Sequence, residues 1–133
     1  MSARLDPGRL ELYLPSAETA IGQARAAVDR LEALAEHPEA RFAVRLLVSE
    51  LFTNAVKYGK RHDSSRVRFA VDVGDSRVRV EVGDRGRGFV VDNVVMPGPE
   101  GDSGRGLAFM DALASRWGIL NNGESCVWFE LDL

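Results

Sequence analysis

The sequence predicts an α+β two-layer sandwich, in which a mixed, mostly antiparallel sheet is covered on one face by helices. The predicted elements follow the order β-α-α-β-β-loop-α-β-β. Helices and strands therefore come in pairs, whereas a doubly wound sheet would alternate them. The strand-like segments alternate apolar and charged residues, which indicates a sheet with one buried and one solvated face. A length of 133 residues fits one domain over residues 1–133.

The first half of the chain predicts one strand followed by two helices. Leucines at every second position within residues 9–14 indicate the strand. Apolar residues then recur at helical spacing over residues 17–35, and Ser16 is a suitable N-cap for this helix. A second helix is expected from Pro38 to about Tyr58, because proline fits the first helical turn. Its apolar stripe consists of Val44, Leu47, Val48, Leu51 and Ala55.

The second half predicts a hairpin, a long loop, a short helix and two closing strands. Residues 66–73 and 77–82 alternate apolar and charged side chains around Gly74-Asp75-Ser76, which is a hairpin pattern. The glycine-rich residues 83–105 show no periodicity, and a loop of this length in a small domain is usually functional or disordered. The remaining predicted elements are a helix over residues 107–114 and strands over residues 117–120 and 127–133.

Composition and charge exclude several classes of protein. The chain has 17 basic and 20 acidic side chains and a formal net charge of -3, which argues against direct binding of nucleic acid. Cys126 is the single cysteine, so no internal disulfide can form and a reducing, cytoplasmic compartment is expected. We expect Cys126 to be a core residue. The sequence contains no signal-peptide core and no apolar run of membrane-spanning length, so we expect no membrane partner.

The first candidate site segment is Glu50-Leu-Phe-Thr-Asn54, in the second predicted helix. Glu50 and Asn54 lie one turn apart on the same helix face, and Lys57 continues that face. Such a trio often forms an ordinary solvated surface. It can also combine a carboxylate that accepts a proton with an amide oxygen that binds magnesium. Magnesium needs few protein ligands when a nucleotide and water supply the others.

The second candidate segment, Asp84-Arg-Gly86-Arg-Gly88, directly follows a predicted strand. Glycines at these positions allow positive φ and the close approach of a ligand to the backbone. An ordinary turn would use the same residue types. In a binding segment, Asp84 would accept a hydrogen bond from an exocyclic amine such as N6 of adenine. A dinucleotide fingerprint is excluded, because no helix pattern opens at Gly86 and the flanking strands have antiparallel character.

The third candidate segment, Gly104-Arg105-Gly106-Leu107, opens a predicted helix. Backbone N–H groups at a helix N-terminus favour phosphate, and Arg105 would add positive charge. A flexible loop that enters a helix is the alternative interpretation. The sequence G-x-x-x-x-G-K-[ST] does not occur in the chain, so a P-loop is excluded.

Together, in this order, the three segments resemble the GHKL ATPase superfamily. Within it, residues 50–59 and 104–118 look most like the small bacterial anti-sigma factor serine kinases, which have a histidine-kinase-like ATPase domain. The resemblance covers nearly the whole chain. It implies a Bergerat-type ATP-binding fold with an ATP lid at approximately residues 88–105, and it implies ATP and Mg²⁺ as cofactors.

The resemblance also implies a role for each matching residue. Glu50 resembles the general base that activates the attacking hydroxyl or water, Asn54 resembles the magnesium ligand, and Lys57 resembles a basic phosphate contact. The other implied nucleotide-binding residues are Asp84 with Gly86 and Gly88 at the adenine, Gly104, Arg105, Gly106 and Leu107 at the phosphates, and Ser125 near the adenine. The chain departs from the family pattern at Tyr58, Phe89 and Glu124, where the family often has His, Pro and Gly.

The implied function is an anti-sigma factor with serine kinase activity. By resemblance, its partners would be a sigma factor and an anti-anti-sigma protein of the STAS class, which it would phosphorylate in a partner-switching system, and it could form a homodimer. Two alternatives stay open. The protein could be a regulatory module that holds ATP and a sigma-like partner without transferring phosphate, or an activating switch kinase.

Overall fold

The computed structural model describes residues 8–15, 18–58, 66–84, 110–121 and 125–133. The elements are β1 (Arg9–Pro15), α1 (Thr19–Asp29), α2 (Glu32–Ala35), α3 (Pro38–Tyr58), β2 (Arg66–Val73), β3 (Arg77–Asp84), β4 (Arg116–Asn121) and β5 (Ser125–Asp132). Residues 110–113 are also helical. No helix in the described ranges is long and apolar enough to span a bilayer.

One five-stranded sheet in the order β1-β2-β3-β5-β4 forms the second layer of the fold. The predicted α+β class is confirmed. Each neighbouring pair of described strands is antiparallel, whereas the sequence predicts a mixed, mostly antiparallel sheet. The predicted hairpin is confirmed as well. Gly74 N–H donates to the Arg77 carbonyl oxygen at 2.8 Å and closes the turn between β2 and β3.

The helices cover one face of the sheet, and the core lies between the two layers. Alternate residues of β2, β3 and β5 are buried there, as the two-residue period of a strand requires. They are Val67, Phe69, Val71, Val78, Val80, Val82, Val127, Phe129 and Leu131. From α3, the predicted residues Val44, Leu47, Val48 and Leu51 are buried, together with Phe52. The side chain of Ala55, the last predicted member of that stripe, lies outside the described residues.

The helix predicted over residues 17–35 is wrong in its continuity, because α1 and α2 are separate. Leu31 has extended backbone angles, φ -76° and ψ 107°, and interrupts the helix. The break reorients the following turn, so that Leu34 is fully buried and Ala35 is exposed. Burying leucine removes more apolar surface from water than burying alanine. Helix α1 begins at Thr19, and the side chain of the preceding Glu18 does not cap it. The predicted N-cap, Ser16, lies outside the described residues.

The face of the sheet opposite the helices carries a network of paired charges. Glu130 is 7% exposed and accepts hydrogen bonds from Arg116, Arg79 and Arg77 at 2.9, 3.0 and 3.1 Å. Burial raises the pKa of the Glu130 carboxyl, but these three hydrogen bonds outweigh burial and bring the pKa down to about 2. Cys126 is buried, but β5 alternation puts it on this face, opposite Val127, and it is not part of the core cluster between the two layers.

The low pKa of Glu130 predicts a pH-dependent contribution to stability. We expect Glu130→Gln to lower the free energy of unfolding by about 2 kcal/mol at pH 7, since hydrogen bonds to a charged group are lost. A carboxyl whose folded-state pKa is depressed stabilises the fold above its unfolded pKa. The difference between wild type and variant should therefore shrink as the pH falls from about 5 towards 2.

Urea unfolding of both proteins across this pH range measures the effect. The control is Glu36→Gln, which removes an exposed carboxylate and should change stability by less than about 0.5 kcal/mol. A Glu130→Gln difference that is constant with pH would contradict the assignment of the low pKa to the arginine network.

Candidate functional site

Helix α3 connects the two ends of the sheet. At its start, Pro38 and Ala43 line a common pocket with Leu131 and Leu133, at the point where β5 ends. Farther along, the ring of Phe52 lies edge-to-face on Phe69 of β2, with ring centroids 5.6 Å apart and planes at 86°. Phe69 is in turn the cross-strand partner of Val82. Helix α3 therefore runs towards the end of the sheet where β3 finishes, which we call the Asp84 end.

Two predicted site residues lie at the Asp84 end on adjacent strands. Asp84 is the last residue of β3, Ser125 is the first residue of β5, and the two are direct partners in the antiparallel register. On its other side, Asp84 pairs with Val67 at the start of β2. By the two-residue period of β3, position 84 falls on the same face of the strand as the buried Val80 and Val82. The register thus brings positions 84 and 125 together.

Three further predicted site residues lie in the second half of α3. Glu50 is half-buried, next to the fully buried Leu51. Glu50 therefore lies at the edge of the packed face of α3. Asn54 and Lys57 follow about one and two turns later on the helix, towards the Asp84 end, and their side chains are outside the described part. Helix positions 50, 54 and 57 therefore lie in the half of α3 that runs towards the Asp84 end, where positions 84 and 125 are paired.

Glu50 differs from the other polar residues of its helical turn in having no partner among the described residues. Its carboxylate makes no hydrogen bond or ion pair within the described ranges. The neighbouring hydroxyls are already used inside the helix, because Ser49 Oγ donates to the Arg45 carbonyl at 2.8 Å and Thr53 Oγ1 donates to the Ser49 carbonyl at 2.7 Å. A carboxylate can accept a proton from a bound molecule when it lies within hydrogen-bond reach of it.

The remaining predicted residues lie outside the described part of the chain. They are Gly86, Gly88, Gly104, Arg105, Gly106 and Leu107, together with the lid expected at residues 88–105. The roles given to them, and to the residues placed above, stay predictions. The structure adds one residue that the motif analysis missed. Phe52, inside the Glu50–Asn54 segment, anchors this turn on β2, and its position four residues after the buried Val48 is the helical spacing that would have indicated it.

The donor set fits magnesium bound together with a nucleotide. Across the described ranges, no group of three or more His, Cys, Asp or Glu side chains could hold a metal ion. One protein oxygen together with phosphate and water oxygens is a usual ligand set for magnesium. Asn54 is the residue that would hold it, one turn beyond the free carboxylate of Glu50.

Comparison with known proteins identifies the family. None of the curated proteins compared with the chain matches it. Residues 14–131 match the family model described as the histidine kinase-like ATPase domain, a match that includes α1 to β4 entirely and nearly all of β5. This match supports the GHKL-type superfamily and an ATP-binding, ATPase or kinase-like activity. The chain belongs to the histidine kinase-like ATPase domain family.

Proposed function

We propose that the protein is an anti-sigma factor with serine kinase activity, which phosphorylates an anti-anti-sigma protein of the STAS class. The observation that carries this proposal is the position of Glu50. Its carboxylate is half-buried and unpaired within the described residues, one turn before Asn54 on a helix that runs towards Asp84 and Ser125. A proton acceptor at this position favours phosphoryl transfer over ATP binding alone.

The proposed reaction follows the general chemistry of phosphoryl transfer. The hydroxyl oxygen of the acceptor serine bonds to the γ-phosphorus of ATP, the bond from that phosphorus to the β,γ-bridging oxygen breaks, and ADP leaves. The serine proton goes to Glu50. Positioning and charge neutralisation supply most of the catalysis in such reactions. Lys57 and the backbone of residues 104–107 would contact the phosphates, Asn54 would hold magnesium, and the bound cation would offset negative charge.

The proposed partners follow from the same assignment. In the cytoplasm, the protein would bind a sigma factor, and the unphosphorylated STAS protein would displace the sigma factor from it. Phosphorylation of the STAS protein on serine would then release that antagonist and free the kinase to bind the sigma factor again. A homodimer is compatible with this scheme, and neither nucleic acid nor membrane is a direct partner in it.

Incubation of the protein with γ-labelled ATP, magnesium and the STAS protein tests the proposal directly. We expect label on the STAS protein, lost when its acceptor serine is replaced by alanine. A matched reaction with labelled GTP should give little transfer, because a carboxylate at position 84 would accept from N6 of adenine and guanine has an oxygen there. ATP binding without any transfer would contradict the kinase assignment and would favour a regulatory module that only binds ATP.

The adenine assignment predicts a loss of affinity in Asp84→Asn. A hydrogen bond to a charged group contributes about 1.5–3 kcal/mol, so the dissociation constant of ATP should rise roughly tenfold to a hundredfold. Isothermal titration with ATP measures this change. Asp72→Asn, an exposed carboxylate on the neighbouring strand β2, is the matched control and should bind ATP like the wild type. An unchanged dissociation constant in Asp84→Asn would remove Asp84 from the adenine pocket.

A further inference from the structure

A groove on the outside of the helical layer has no role in the proposed nucleotide site. We call it the outer groove. It has a volume of about 250 Å³ and is lined by Arg25, Phe42, Arg45, Leu46 and Ser49. Phe42 is 66% exposed, more than any other large hydrophobic residue in the described ranges. An exposed aromatic ring beside a groove is typical of a surface that binds another protein.

The outer groove carries positive charge, although the chain as a whole has a net charge of -3. Arg25 is exposed and forms no ion pair with any described residue. Arg45 Nε lies 3.2 Å from Asp29 Oδ1, but this nitrogen is buried and makes no hydrogen bond within the described part of the chain. The Arg45–Asp29 pair therefore lacks the two parallel hydrogen bonds of a strong arginine–carboxylate contact, and a second carboxylate can still bind the guanidinium group.

The outer groove ends close to Glu50. Leu46, which lines the groove, is four residues before Glu50 on α3, so the two side chains are neighbours one helical turn apart. Phe42 is about 12 Å from Glu50 along the helix axis, at 1.5 Å per residue. An extended segment of roughly four residues spans that distance. A polypeptide seated at Phe42 can thus present a hydroxyl group to Glu50.

We propose that the outer groove docks the protein substrate through a segment that is both acidic and apolar. An apolar side chain of this segment packs on Phe42 and Leu46, and its carboxylates bind Arg25 and Arg45. The acceptor serine lies a few residues away from the docked segment, next to Glu50. The identity of the docked protein rests on the proposed function, whereas the chemistry of the docking segment rests on the groove itself.

A binding assay tests this proposal with the STAS protein as the probe. The fluorescently labelled STAS protein is titrated with the full chain in the presence of magnesium and a non-hydrolysable ATP analogue. We expect Phe42→Ala and Arg25→Glu each to raise the dissociation constant at least tenfold, and the Arg25→Glu effect to weaken at high salt. Leu120→Ala, an exposed hydrophobic residue on β4, and Arg30→Glu, an exposed arginine outside the groove, should change it less than twofold.

The outcomes separate the docking proposal from the kinase assignment. Loss of binding in the groove variants, with no phosphate transfer by the wild type, supports docking and overturns the kinase assignment. Phosphate transfer whose KM for the STAS protein is the same in wild type and groove variants overturns docking and supports the kinase assignment. Absence of STAS binding by the wild type overturns docking. Sedimentation that shows a dimer dissociating in Phe42→Ala, with STAS binding unchanged, would also overturn it, because the groove would then hold a second copy of the chain.

Discussion

Replacing Glu50 with glutamine is expected to slow phosphate transfer to the STAS protein by about 10²–10⁴-fold, the usual contribution of a general base. Glutamine keeps the size of the side chain and its half-buried position but cannot accept the serine proton. The dissociation constant of ATP should change little, because Glu50 is assigned to the proton and not to the nucleotide. The loss should therefore appear in kcat, as expected for an interaction made only in the transition state.

Single-turnover transfer of labelled phosphate, together with a separate ATP titration, measures the two quantities. Glu39→Gln is the matched control, since it removes an exposed carboxylate from the first turn of the same helix and should leave transfer at the wild-type rate. Full transfer activity in Glu50→Gln would remove Glu50 from the role of base. Equal losses of transfer and of ATP affinity would instead assign Glu50 to nucleotide binding.

Replacing Phe52 with alanine is expected to lower the free energy of unfolding by about 3–5 kcal/mol, as for other large aromatic residues in a core. Phe52 is fully buried and makes an edge-to-face contact with Phe69. Its removal leaves a cavity and breaks the aromatic pair. The same substitution at Phe42, ten residues earlier on the same helix, should cost less than about 0.5 kcal/mol, because this ring is 66% exposed.

Urea unfolding monitored by circular dichroism compares the two variants directly. Their large difference would come from burial alone, since residue type, substitution and helix are the same. Similar losses in the two variants would contradict the packing described for α3. A strongly destabilised Phe42→Ala would also weaken the docking proposal, because Phe42 would then be part of the core.

Periodicity and turn chemistry predict most of the fold. The long helix α3 and the hairpin between β2 and β3 are predicted almost to the residue, because their apolar spacing and turn residues are local signals. The continuity of the first helix is predicted wrongly. Apolar spacing alone favours one helix over residues 17–35, while the core favours a break at Leu31 that buries Leu34. A break of this kind depends on residues distant in sequence that form the surface to be covered.

The candidate site also has features that the sequence predicts and features that only the structure shows. The spacing of Glu50, Asn54 and Lys57 is sufficient to put the three residues on one helical face. Spacing does not indicate that this half of α3 runs towards the Asp84 end of the sheet, or that positions 84 and 125 are paired on adjacent strands. Spacing also does not indicate that Phe42 is exposed and Phe52 is buried, although both phenylalanines lie on the same helix.

The sequence by itself determined the α+β class, the boundaries of α3 and the hairpin, and the ATP-binding family. Each of these depends on patterns within a short stretch of chain or on motifs that can be compared directly. Only the tertiary structure decided where α1 ends, which residues share the Asp84 end, and which phenylalanine of α3 lies outside the hydrophobic core. These features depend on strand register and on which side chains are buried in the common core. Strand register and core packing each involve residues that are far apart along the chain.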